Sequence, residues 1–247
     1  MRFSLMITTR KRAVFLTNLM DSLNNTIANK KEVEIHINHD TDDTETRDLE
    51  LVFKEKYPEL IITFHSKERS PWLIRDFVNW SIDNFATGKY ILPLNDDIVF
   101  KNNNWDELAW VKLEDYLKDK PDGVVYGLTE DNETSKKHNS PSNGGAFTCF
   151  PLISKAANEA CGGYSDPEFK SWGADMALYR TYSALNRICD LRNEINIFHI
   201  SVHSGRRPKD EVFAEMASNC AGALPPETFV GRNVRRITDW INTHNAV

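Results

Sequence analysis

The sequence predicts an α/β domain with a mostly parallel central sheet and helices on both faces. Three observations predict it. Over the first hundred residues, short stretches of two-residue hydrophobic period alternate with stretches of helical period. The chain has 247 residues, 40% of them hydrophobic, which is enough for one substantial core. Its longest apolar runs, such as residues 90–94, fall far short of the ~20 residues a membrane helix needs.

Taken in order, Phe3, Leu5 and Ile7 alternate with Ser4 and Met6 as a first strand. Leu16, Leu19, Met20, Leu23 and Ile27 then form one helical stripe. Val33, Ile35 and Ile37 alternate with Glu34 and His36 as a second strand, followed by a charged helical stretch carrying Leu49, Val52 and Phe53. Residues 60–64 make a third strand. Ile74, Phe77, Val78, Ile82 and Phe85 make the next helical stripe, with Gly88 as its C-terminal cap. Residues 90–94 are a fourth strand, in which Pro93 removes a ladder donor and so predicts a bulge or strand end. Strand–helix–strand alternation implies right-handed crossovers between parallel strands. Ligands of such sheets sit beyond the carboxyl ends of the strands, so the segments after Ile7, Ile37, Phe64 and Leu94 are the ones to inspect.

The second half is less regular. Residues 105–117 read as a helix and 124–128 as a strand. Residues 129–145 are polar and turn-rich, a loop with nothing to bury. Leu178, Tyr182, Leu185 and Cys189 form a helical stripe, and Ile195, Ile197 and Ile200 mark a late strand. Pro225-Pro226 sets off a C-terminal amphipathic segment, about residues 229–241. No internal repeat and no low-complexity tract is visible, and residues 1–247 read as a single domain.

Thirty Lys and Arg stand against 36 Asp and Glu, a net charge of −6, which argues against non-specific nucleic-acid binding. Arg10-Lys11-Arg12 comes too early for a secretion signal. The four cysteines, at 149, 161, 189 and 220, show no CxxC and read as reduced thiols of a cytoplasmic protein.

Two segments carry chemistry. Asn95-Asp96-Asp97 follows the fourth strand directly and is flanked by apolar residues. Neighbouring strand residues point to opposite faces, so one Asp can hold a metal while the other reaches a different part of a ligand. Hard carboxylate oxygens suit Mg²⁺ or Mn²⁺. A plain turn, where Asn and Asp are favoured anyway, accounts for the same residues equally well. Residues 162–175, Gly-Gly-Tyr-Ser-Asp-Pro-Glu-Phe-Lys-Ser-Trp-Gly-Ala-Asp, form a glycine- and aromatic-rich loop leading into a helix with Asp175 in its first turn. Asp there also complements the orphan amides of any helix N-terminus, and alone this segment reads as structural.

Together, the two segments resemble the nucleotide-sugar glycosyltransferases of the GT-A fold, closest in pattern to the inverting family-two enzymes. Gly88 through Asp97 resembles their metal motif, a DXD-like run. Gly162-Gly163-Tyr164 through Trp172-Gly173-Ala174-Asp175 resembles their acceptor motif, and Thr8-Thr9-Arg10 their opening. The match spans roughly residues 3 to 205. Asn95 and Ala174 depart from the pattern, as does Asn38-His39-Asp40 at the end of the second strand.

The resemblance implies a Rossmann-like GT-A fold with a nucleotide-binding half (1–100), an acceptor-binding half (101–223) and a C-terminal helical segment (224–247). It implies transfer of a sugar from a UDP- or GDP-linked donor to a glycan, lipid-linked or protein acceptor, with Mn²⁺ or Mg²⁺ as cofactor and inversion at the anomeric carbon. Asp97 would hold the metal with His199 or His203, of which His199 is preferred because it ends the apolar strand. Asp96 and Asn95 would meet the donor, together with Thr8, Arg10, Asn38, His39, Asp40, Arg75 and Asn79. Asp175 would act as general base, and Gly163, Trp172 and Gly173 would line the acceptor site. Arg206-Arg207 and Lys209 could close over a diphosphate, although exposed basic residues in a loop are more often simply solvated. The alternatives are a metal-dependent nucleotidyltransferase, which would usually carry a glycine-rich loop after the first strand, and a non-catalytic nucleotide-sugar-binding domain.

Overall fold

The computed structural model describes residues 1–132, 147–170, 173–202, 205–220 and 227–245. The elements in chain order are β1 (Phe3–Thr9), α1 (Ala13–Thr26), β2 (Val33–Asp40), α2 (Thr44–Lys56) and β3 (Ile61–Lys67). A wide π-helical segment (Ile74–Asn79) runs on into α3 (Trp80–Phe85). There follow β4 (Tyr90–Asn95), β5 (Ile98–Phe100), α4 (Trp105–Leu117), β6 (Tyr126–Leu128), β7 (Glu130–Asp131), β8 (Leu152–Ser154) and α5 (Lys155–Cys161). The chain ends with α6 (Ala174–Ala184), β9 (Ile188–Asp190), β10 (Asn196–His199), α7 (Glu211–Cys220) and α8 (Glu227–His244).

A seven-stranded sheet has the order β3-β2-β1-β4-β8-β6-β9. β2 and β4 flank β1 in parallel, β3 adds to β2 in parallel, and β8 runs antiparallel to both β4 and β6. The strand order therefore reverses at β1, and the carboxyl ends of β1 and β4 open side by side at the switch point. A crevice for ligands belongs there. A second sheet of order β5-β10-β7 leans on this end. In it β10 pairs antiparallel with β5, His199 opposite Ile98, and Ile200 N–H donates to the Asp97 carbonyl at 2.8 Å.

The core is two-layered. Leu5 and Ile7 of β1 pack with α1, α2 and α4 residues such as Leu19, Phe53 and Leu113. Met6 faces the other layer with Ile82, Ile153, Tyr182 and Ile237. Both faces of β1 and β2 are thus covered, which is how parallel sheets are built. The polar residues of these strands are buried as well. Glu34 accepts from Ser4 Oγ (2.5 Å), Thr87 N (2.6 Å) and Thr87 Oγ1 (2.8 Å).

Three local expectations are corrected. Gly88 does not cap the preceding helix, which ends at Phe85 with Ala86 as its extended C-cap. Glycine is required because a Cβ at residue 88 would sit 2.7 Å from the β1 backbone at Phe3 and Ser4. Pro93 marks neither a bulge nor a strand end. Tyr90 N donates to Arg2 O of the β1 side, so by alternation residue 93 faces β8, whose pairing with β4 has already stopped at Ile91. No donor is missed there. The stripe expected through Cys189 breaks after Ala184. Asn186 adopts a left-handed φ of 53°, Arg187 N returns to Tyr182 O at 2.9 Å, and Cys189 belongs to β9. Among the described residues no helix is long and apolar enough to cross a membrane.

Candidate active site

At the switch point β1 ends in Thr8-Thr9 and β4 in Asn95, which hands directly to Asp96-Asp97. Both carboxylates are almost fully enclosed, with 1% and 2% of their residue surface exposed. Asp96 accepts from Thr9 Oγ1 at 2.7 Å and from the Arg12 guanidinium at 3.3 Å. Burial pushes its carboxyl up to about 6, against the pull of Arg12. Asp97 turns the other way. One oxygen accepts from Arg207 Nε at 2.9 Å, and the other lies 3.5 Å from His199 Nε2 and makes no hydrogen bond among the described residues. Burial alone would raise Asp97, but His199 and Arg207 together hold it below the ordinary carboxylate value. Adjacent carboxylates thus sit in opposite electrostatic settings, and they do so in the bend between β4 and β5, outside either strand.

One cleft opens over this pair. Thr8, Arg10, Asp40, Asn95, Asp96 and Asp97 line it, with Arg12, Arg69, Lys170 and Arg207 supplying cationic walls and Phe77, Val212, Phe213 and Met216 apolar ones. Every guanidinium in it is engaged by a carboxylate. Arg10 bridges Asp40 (2.8 Å) and Asp42, Arg69 bridges Asp40 (2.9 Å) and Glu215, and Arg12 and Arg207 share Asp210 at 2.9–3.0 Å. Asp210 also accepts from Phe213 N at 2.8 Å at the start of α7, which pins that helix against the cleft.

Not every residue expected at the donor site lines this cleft. Asn38 is fully buried beneath it and donates to Ile7 O at 3.1 Å. His39 is buried against Phe64, with Nδ1 3.0 Å from the Asp40 carbonyl oxygen. Arg75 is exposed and paired with Asp76. Asn79 donates to Ser165 O at 2.9 Å and accepts from Ser165 N, fastening the glycine loop to the helix before β4. Gly163 belongs to that clasp. Its φ is +134°, and a Cβ would meet the Asn79 amide at 3.0 Å. Gly173, with φ +91°, is the N-cap of α6. Trp172 and His203 lie outside the described residues.

Asp175 stands in the first turn of α6. Its Oδ1 accepts from Met176 N at 2.8 Å, and the Cys149 thiol is close enough to act on its carboxyl electrostatically. Burial raises its pKa, and the charge of Asp131 adds to the effect. Cys149 in turn clusters with Asp131 and His199, and His199 faces Asp97. Asp97 and Asp175, 78 positions apart, are therefore linked through two intervening side chains. Asp175 does not itself line the cleft. The sequence did not point to Arg12, Arg69 and Lys170 as cleft residues, to Asp210 as the partner of Arg12 and Arg207, or to Cys149 and Asp131 as neighbours of Asp175. Of these, only the Arg10-Lys11-Arg12 run after β1 carried a signal.

No protein-family model and no curated protein sequence matches the chain. Solved structures do. The S. aureus TarS 1–349 complex with UDP is 18% identical with a TM-score of 0.59, over 100% of this chain and 72% of that one. The mannosyltransferase PcManGT from Pyrobaculum calidifontis, in complex with GDP-Man and Mn²⁺, is 14% identical with a TM-score of 0.62, over 100% and 75%. GalNAc-T7 with UDP, GalNAc and Mn²⁺ is 11% identical with a TM-score of 0.57, over 80% and 43%. The chain has the GT-A fold of nucleotide-sugar glycosyltransferases.

Proposed function

We propose that the protein transfers a sugar from a nucleoside-diphosphate donor, UDP- or GDP-linked, to an acceptor hydroxyl on a glycan, lipid or protein. The observation that carries this is the cleft at the switch point, where a buried Asp pair and four guanidinium groups meet beneath the ends of β1 and β4. The structural neighbours bound to UDP and GDP-Man support the donor class.

In this reading Arg12 and Arg207 face the donor diphosphate and neutralise the charge that grows on it as the anomeric C–O bond breaks. Asp175 takes the proton of the acceptor hydroxyl while its oxygen forms the new bond to the anomeric carbon. Attack from the face opposite the departing diphosphate inverts that carbon. Cys149, Tyr126 and Tyr164 around Asp175 limit water at the base; the Tyr126 and Tyr164 hydroxyls are held neutral, their pKa values pushed well up by burial.

A divalent cation fits the site. The Asp97 oxygen beside His199 is buried and has no hydrogen-bond partner among the described residues, and a carboxylate with an imidazole at 3.5 Å is a donor set for Mn²⁺ or Mg²⁺. Asp97 and His199 would hold the ion, which when bound stabilises charge on the diphosphate oxygens.

The test is incubation with a panel of nucleotide sugars while free nucleoside diphosphate is measured. Asp97→Ala should abolish release and weaken Mn²⁺-dependent nucleotide binding in calorimetry. Pyrophosphate release would point instead to nucleotidyl transfer. Nucleotide-sugar binding without turnover toward any acceptor would point to a binding domain.

A further inference from the structure

Beside the Asp97 position lies a second group of ligand atoms of a different chemical kind. A carboxylate oxygen of Asp131, Sγ of Cys149 and a ring nitrogen of His199 all lie within 4.8 Å of one another. They come from three places: the end of β7, the turn before β8 and the end of β10. Backbone pairing brings them together without help from any ion. β10 runs parallel to β7, with Ile197 opposite Asp131. Asp131 Oδ2 accepts from Cys149 N at 2.9 Å and from Thr148 Oγ1 at 3.0 Å, which fixes the turn to the strand. Phe150 meets the His199 ring edge-on with centroids 5.0 Å apart and holds its plane.

The imidazole is the shared member. Nε2 faces Asp97 at 3.5 Å, while Nδ1 is buried and makes no hydrogen bond among the described residues. Buried ring nitrogens without a partner are uncommon and call for an explanation such as an ion. A thiol, an imidazole and a carboxylate are not the set that hard Mg²⁺ or Mn²⁺ selects. They match Zn²⁺, which takes sulfur, nitrogen and oxygen ligands in tetrahedral geometry.

We infer that Asp131, Cys149 and His199 form a Zn²⁺-binding site next to the Asp97 cation position and competing with it for His199. Ligand atoms around a tetrahedral zinc stand roughly 3.3–3.8 Å apart, so side-chain movements of about an ångström complete it. The fourth position is left to water. Zinc on Nδ1 leaves Nε2 carrying the proton toward Asp97, so the imidazole can no longer ligate a cation there, and it turns Cys149, a neighbour of Asp175, into a metal ligand. Zn²⁺ therefore inhibits sugar transfer. The inhibition rests on the function proposed above, but the binding does not.

The experiment uses the full chain stripped of metal and titrated with Zn²⁺ alone against a chromophoric chelator. One zinc per chain is expected, with affinity at least about tenfold lower in Cys149→Ser and in Asp131→Asn. Co²⁺ in place of zinc should give a thiolate-to-metal absorption in the near ultraviolet with the unaltered protein, which requires no variant to fold. Excess Mn²⁺ should leave the Cys149 thiol as reactive toward a maleimide as in metal-free protein, whereas Zn²⁺ should protect it. Failure to bind stoichiometric zinc, equal binding by Cys149→Ser, or cobalt binding without the sulfur band would each overturn the site. Zinc binding through sulfur in a protein that transfers no sugar would leave the site standing and remove the functional reading instead.

Discussion

The cleft around Asp97 and the cluster of side chains around Asp175, which does not line that cleft, manage charge in opposite ways. Around Asp96 and Asp97 every carboxylate has a cationic or hydroxyl neighbour, and Arg207 and His199 keep Asp97 ionised despite burial. Around Asp175 the neighbours are a thiol and phenols, and its carboxyl is raised by desolvation. Asp97 is arranged to stay charged, whereas Asp175, like Asp96 beside Asp97, is raised by burial. A leaving diphosphate needs the first kind of surroundings and a general base the second.

Asp175→Asn attacks the contrast most directly. It keeps the shape of the side chain and removes its basicity, so kcat should fall by about 10²–10⁴-fold with nucleotide affinity little changed in calorimetry. A variant with unaltered turnover would remove the distinction between the two regions. Next in size, Arg12→Ala should weaken nucleoside-diphosphate binding by roughly ten- to a hundredfold, the worth of a charge-assisted contact. Its effect should shrink as salt is added, because partly exposed charges are screened.

The pH profile sharpens the comparison further. Asp175 must be ionised to accept a proton, and its pKa is raised. Activity is therefore present above that raised value and lost as pH falls through it, so the acid limb of kcat/KM should lie above the range of an ordinary aspartate. A limb at the ordinary value would mean that the base is well solvated when substrate binds. The smallest expected change comes from Glu215→Gln. It frees Arg69 from one of its two carboxylates, and nucleoside-diphosphate binding should tighten a few-fold at low ionic strength.

The cleft was readable in the sequence to the extent that its residues are local. β1, β2 and β4 show as short apolar runs because parallel strands are buried on both faces, and Asp96-Asp97 follows such a run without a gap. Thr8, Arg10 and Asp40 were placed by the same logic of strand ends. Asn38 and His39 obey that logic in sequence, yet their side chains point into the protein, since a residue's side of the sheet is fixed by register and not by proximity to the strand end. Arg69 and Lys170 meet in the cleft from loops with no periodicity. Cys149 gave no sign of its place because a solitary cysteine carries no spacing. Asn79 and Gly163 were singled out for the ligand and serve the scaffold: a buried amide and a glycine with positive φ clasp the loop that leads toward Asp175.

Pro93 has a further effect. Hydrogen bonding between β8 and β4 closes like a zipper from Tyr90↔Ser154 through Ile91↔Ile153, and two residues on the proline offers nothing for the next tooth to grip. The closure halts there, short of Asn95. By the same register Pro151 stands opposite Pro93, so neither chain offers an amide hydrogen for a further bond, and β4 runs unpaired with β8 from residue 92 to Asn95.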